Sequence, residues 1–148
     1  MSKDQLQDVF AFFNEIGIIA QLSSNQMERA MPHGLTMAQF GVLNWFSRVD
    51  DEATPGRLAA AFQVSKGAMT NTLGKLQEKG FVTVSPDPQS GRRKIVRRTS
   101  AGQRAREAAL ASTMPVLETF ADALGHDRLR RHRPFLSKVR AYLDSARE

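Results

Sequence analysis

Between residues 65 and 75, Ser65, Lys66, Thr70, Asn71 and Lys75 recur at helical spacing, with Gly67 and Gly74 among them. These residue types suit a nucleic-acid surface. Asparagine can bond adenine in a bidentate way, threonine can meet a phosphate or a thymine methyl, and lysine can reach phosphate or guanine. Ser65 would add a hydroxyl beside a helix N-terminus, where free N–H groups favour an anion. Met69, Leu73 and Leu76 form the opposite stripe, so the polar side must point outward. Further along come Arg92, Arg93, Lys94, Arg97 and Arg98, five cations in seven residues. Either group alone reads as an ordinary solvated face. Side by side they suit a duplex whose base edges are read while its phosphates are held.

The elements that must carry these groups follow from periodicity and punctuation. Residues 4–29 read as a helix with Leu6, Val9, Phe10, Phe13, Ile16 and Ala20 at three- and four-residue steps, broken at Met31-Pro32-His33-Gly34. Thr36 and Gln39 have the spacing of a capping box for a second helix, with Phe40, Leu43 and Phe46 inward and Val42 and Trp45 beside them. Asp50-Asp51-Glu52 reads as a polar loop. Thr54-Pro55 starts a short helix, since threonine caps and proline suits the first turn. Ala59, Ala60 and Ala61 are small enough for a close crossing. Gln63-Val64 makes the turn, Ser65 caps the helix to Lys79, and Gly80 ends it. Phe81–Val84 and Lys94–Thr99 read as strands, joined by a turn-rich loop over 85–91. Helices over about 100–123 and 126–146 close the chain, separated by Gly125.

This order, mainly α with a small β-hairpin, predicts a winged helix-turn-helix over residues 35–100, flanked by helices at 4–30 and 101–146 of one 148-residue chain. Charge agrees with that placement. The formal net charge is +6 and the pI about 10.3, but residues 1–50 are net −2, whereas 51–100 are net +5 and 101–148 net +3. A basic middle third predicts an acidic partner, here double-stranded DNA. Cysteine is absent, which excludes disulfides, a thiolate zinc site and a thiol redox switch. No apolar run reaches about 18 residues and the start, MSKDQLQDVF, lacks the apolar stretch of a secretory signal. The expectation is a cytoplasmic protein with no membrane partner.

Residues 35–102 resemble the MarR (multiple-antibiotic-resistance regulator) family of bacterial repressors. The resemblance rests on Leu35-Thr36-Met37-Ala38-Gln39-Phe40-Gly41-Val42-Leu43, on Leu58-Ala59-Ala60-Ala61-Phe62-Gln63-Val64-Ser65-Lys66, and on Leu73-Gly74-Lys75-Leu76-Gln77-Glu78-Lys79-Gly80-Phe81-Val82. It continues from Pro86-Asp87 through Gly91-Arg92-Arg93 to Arg98-Thr99-Ser100-Ala101-Gly102. Three positions depart from the family pattern: Gln63 stands where glycine is usual, Ser90-Gly91-Arg92 where the wing commonly has Asp-x-Arg, and Arg98 where leucine is usual.

The resemblance implies a ligand-responsive repressor that binds a pseudo-palindromic operator as a homodimer. DNA contacts fall on Ser65, Lys66, Thr70, Asn71, Lys75, Arg92, Arg93 and Lys94. The terminal helices would form the dimer through Val9, Phe10, Phe13, Leu136, Val139, Tyr142 and Leu143; packing inside one chain is the plainer role for the same stripe. It also implies a site for a small aromatic or amphipathic effector, with Phe13, Ile16, His33, Trp45 and Met114 as wall residues, although core or loop packing accounts for each of these as well. No metal or cofactor is implied.

Two other classes compete with this reading. An enzyme would need a catalytic constellation, but His33, His126 and His132 are scattered and no nucleophile motif, phosphate loop or metal spacing accompanies them. The second run, Arg128, Arg130, Arg131 and Arg133, would suit a protein-interaction or membrane-surface module. Architectural DNA binding without ligand response is the alternative within nucleic acid.

Overall fold

Ser2 opens the first helix. Its hydroxyl accepts from the Gln5 backbone N–H while the Gln5 side chain accepts from Ser2 N–H, a reciprocal cap. In the computed structural model, which describes residues 1–147, this helix, α1, spans Lys3–Ala30 and none of its residues is buried. A single 3-10 turn, Pro32–Gly34, follows, and Thr36 then caps α2 (Met37–Arg48) with the same box, Gln39 N–H donating to Thr36 Oγ1 at 3.1 Å. Two compact units divide the chain, Met1–Thr113 and the part from Met114 onward.

The first unit holds the core. Val42, Leu43, Trp45 and Phe46 of α2 meet Leu58 and Ala59 of α3 (Pro55–Phe62) and Met69, Leu73 and Leu76 of α4 (Lys66–Glu78). A three-stranded antiparallel sheet adds Ala53, Val82 and Val96. Its order is β1 (Glu52–Ala53), β3 (Ser90–Arg98), β2 (Val82–Asp87). The beginning of α5 (Ser100–Leu124) lays Gly102, Ala105, Ala109 and Thr113 inward. Gly102 is there because nothing larger fits: a Cβ built on it would stand 2.1 Å from the Phe81 carbonyl oxygen. The expected inward stripes of α2 and α4 are observed.

Two expectations change. The polar run Asp50-Asp51-Glu52 predicts a loop, yet Glu52–Ala53 pairs with Arg97 and Val96 as a third strand. A two-residue strand carries no period of its own and is made by its partner. The hairpin is also longer than the residues 81–84 and 94–99 suggested: Ser85 opposes Ile95, Pro86 opposes Lys94, and Asp87 opposes Ser90 after a register shift. Pro86 is tolerated because β2 is an edge strand, where a missing N–H need not break the ladder.

From Met114 onward the chain contains the end of α5 and α6 (His126–Ser145), entered through Gly125 at φ 87°. No residue of α6 is buried. Arg140 and Arg147 both approach Asp144, at 3.6 and 2.9 Å. No helix among the described residues is long and apolar enough to cross a membrane.

Candidate nucleic-acid interface

Thr54 caps α3 by accepting from Arg57 N–H at 3.2 Å, with Pro55 in the first turn. The helix ends at Gln63, which adopts a left-handed conformation (φ 54°, ψ 45°). That conformation costs a residue with a Cβ about 1–2 kcal/mol. Here the Gln63 side chain recovers part of it by donating from Nε2 to the Ala60 carbonyl at 2.9 Å. Val64 N–H donates to Ala59 O and Gln63 N–H to Ala60 O, so the turn supplies partners for two carbonyls in the last turn of α3. Ser65 then accepts from Ala68 N–H at 3.1 Å and starts α4.

Ser65, Lys66, Thr70, Asn71 and Lys75 are all exposed on α4, opposite the buried Met69, Leu73 and Leu76. Arg92, Arg93 and Lys94 are exposed on β3. The structure brings the two groups together. Thr54, Pro55 and Gly56 of the α3 start, Lys66 and Thr70 of α4, and Arg92, Arg93 and Lys94 of the wing line one open cleft of about 400 Å³. Four cations and no carboxylate line it. Asn71, Lys75 and Ser65 flank this cleft on the exposed side of α4 without lining it.

The run of five cations is divided by its partners. Arg97 pairs with Glu52 of β1. Arg98, half-buried, reaches α2, donating to Ser47 Oγ and, at 3.4 Å, to the Leu43 carbonyl. An arginine at this normally apolar place is thereby tied to α2. Arg93 has Asp87 beside it at 3.7 Å. Arg92 and Lys94 form no ion pair among the described residues. The sequence alone does not show this sorting, since Glu52 and Ser47 lie far back along the chain.

Elsewhere in the unit, Arg57 pairs with Asp50 at 2.7 Å and lies over the Trp45 ring at 5.0 Å. The hydrogen bond from Arg57 holds the exposed Asp50 carboxyl below its ordinary pKa. Trp45 is only 6% exposed and packs edge-on to Phe46. His33 adopts φ 62° in the 3-10 turn with its ring edge-on to Phe81 at 5.4 Å. Phe13 is exposed on α1 beside Phe12, and Ile16 is half-buried there. Met114, in the second unit, is exposed.

Val9, Phe10 and Phe13 lie open on α1, Phe10 at 72%. On α6, Leu136, Tyr142 and Leu143 are exposed, Tyr142 at 70%, and Val139 is half-buried. Arg128, Arg130, Arg131 and Arg133 are likewise exposed on α6. Among the described residues no cluster of His, Asp or Glu could hold a metal ion.

Comparison with known proteins points the same way as the geometry. Residues 33–93 match the model of the MarR family. Over 72 residues the chain is 35% identical to the transcriptional activatory protein BadR of Rhodopseudomonas palustris, a match covering 47% of this chain and 41% of that protein. The chain thus aligns with less than half the length of this curated relative. Among solved structures, a mutant MarR from E. coli complexed with operator DNA is 25% identical, with a TM-score of 0.76 over 89% of this chain and 95% of that one. Sco5413, a MarR family transcriptional regulator from Streptomyces coelicolor, has the same fold: its TM-score is 0.80 at 21% identity, covering 95% and 99%.

Proposed function

Residues 33–93 carry the MarR family pattern, and on that premise we propose that the chain is a MarR-type transcriptional regulator that binds duplex DNA as a homodimer. The observation that carries this reading is the acid-free cleft in which Lys66 and Thr70 of α4 stand with Arg92, Arg93 and Lys94 of the wing. A helix with Asn71 and Lys75 outward fits a major groove about 12 Å wide, while a basic hairpin suits the neighbouring backbone or minor groove. Val9, Phe10 and Phe13 on α1 support a second copy as partner, as do Leu136, Val139, Tyr142 and Leu143 on α6, because neither helix buries any of its residues. Two protomers would read half-sites about 34 Å apart on a pseudo-palindromic operator.

Repression follows where such a dimer occupies a promoter. Activation is the second reading, favoured by the likeness to the transcriptional activatory protein of R. palustris. A small aromatic or amphipathic effector would act by binding one half-site spacing better than another. Selection of genomic fragments by the purified protein tests the core of the proposal. A recovered two-fold motif, bound with an affinity that falls steeply with salt, is expected. Equal recovery of random fragments would overturn sequence-specific binding, and a reporter behind the motif separates repression from activation.

A further inference from the structure

The C-terminal end of α4 is tied to the turn that ends α1. Lys79, the residue at which α4 stops, does not extend along the polar face of that helix. Its ammonium donates to the Gln39 side-chain oxygen at 2.8 Å and to the Gly34 carbonyl at 3.2 Å. Gln39 is 7% exposed and is itself locked by the Thr36 cap. On the other side of Gly80, Phe81 holds the His33 ring. Residues 79 and 81 therefore grip the 32–34 turn from both sides of the α4 terminus. That turn has two successive left-handed residues, His33 and Gly34, which fixes the direction of the Gly34 carbonyl. The next link is Glu28 of α1, whose carboxylate accepts from Met37 N–H at 2.7 Å. A continuous polar chain thus runs from α1 through the α2 start to the end of α4, inside one compact unit.

We propose that Lys79 is a positioning residue: it fixes the angle of α4 to α1 and so sets the half-site spacing that the dimer accepts. The inference rests on the reading above, in which α4 enters the groove and α1 joins the protomers. A dimer reads spacing only as sharply as each reading helix is held to the dimer helix. Lys79 is half-buried, and a charged hydrogen bond to a buried amide oxygen is directional and stronger than a neutral one. Its loss leaves α4 its hydrophobic stripe but frees its tilt.

The test uses the full chain and the operator recovered by selection. Binding is measured to that duplex, to duplexes with one base pair added or removed between half-sites, and to a single half-site. One base pair rotates a half-site by about a tenth of a turn, so the native protein should prefer its own spacing about tenfold or more. Lys79→Met keeps the apolar stem, and Gln39→Leu removes the acceptor. Each should flatten the preference to about threefold or less while single half-site binding stays within about twofold, and the double variant should add little to either. Lys79→Arg should restore part of the preference. Full spacing preference in both Lys79→Met and Gln39→Leu would overturn the proposal. So would an equal loss at full and single sites, which would make Lys79 a plain DNA contact or a fold support. A wild-type protein indifferent to spacing would instead overturn the two-fold reading on which the proposal rests.

Discussion

Asp87 and Arg93 face each other across the wing tip, with Asp87 Oδ2 3.7 Å from Arg93 Nε. The same carboxylate accepts from Gln89 N–H through Oδ1 at 3.0 Å. One side chain therefore shapes the turn and orients a cation. The family's usual wing aspartate is absent from Ser90-Gly91-Arg92; the carboxylate in this wing is Asp87 on the opposite strand, and it stands beside Arg93 rather than Arg92. Asp87→Ala should weaken operator binding by about two- to fivefold, the range of an exposed ion pair. Asp87→Asn, which keeps the acceptor for Gln89, should lose less. Fluorescence anisotropy with labelled operator measures both.

Asn71 and Arg92 should separate reading from holding. Asn71→Ala should cost about 1–3 kcal/mol at the recovered motif and little on random DNA, because it removes a base-edge contact. Arg92→Ala should weaken both nearly equally and reduce the salt slope by about one. Titrations of each variant at several salt concentrations decide. Unchanged binding in both variants would remove α4 and the wing from the interface.

Gln63 offers a stability test away from DNA. Its left-handed backbone is unfavourable, and its bond to Ala60 O offsets part of that. Gln63→Gly should lie within about 1 kcal/mol of the native protein, since relief of strain and loss of the bond nearly cancel. Gln63→Val should cost about 1–2 kcal/mol or more, because a β-branched residue fits that region worst and brings no hydrogen bond. Urea unfolding reads both.

Gly102 should tolerate nothing larger. Alanine there must displace the Phe81 carbonyl, which accepts from Thr99 N–H at 3.1 Å. Gly102→Ala should cost about 1–3 kcal/mol, in the range of overpacked cores. It should also weaken DNA binding, since Phe81 and Thr99 join α4, the wing and α5. Thermal unfolding together with operator titration checks the pair of effects.

How much of this was legible in the sequence depends on the range of the interactions involved. The stripe Met69, Leu73, Leu76 and the cap at Thr36 are local patterns, and both appear where the spacing placed them. The wing strands ran longer than their residue types suggest, because Ser85 and Pro86 are held by Ile95 and Lys94 rather than by their own preference. The fates of Arg97 and Arg98 were hidden for a similar reason. Their partners Glu52 and Ser47 are brought near only by the folded sheet and α2. The Lys79–Gln39 contact likewise spans 40 residues. Types and periods disclosed which groups were available for an interface; only the tertiary fold disclosed which of them were already engaged.

The three-stranded sheet bears on solubility as well as on the wing. One margin is a strand of only two residues, and the other carries Pro86, which has no N–H to offer. β1 covers β3 only at Arg97 and Val96, and the stretch of β3 beyond it carries the exposed cations Arg92, Arg93 and Lys94, which disfavour pairing with a β-segment of another chain. A hairpin with a proline on one edge and a row of cations on the other is thereby a poor template for aggregation, even when the protein is concentrated.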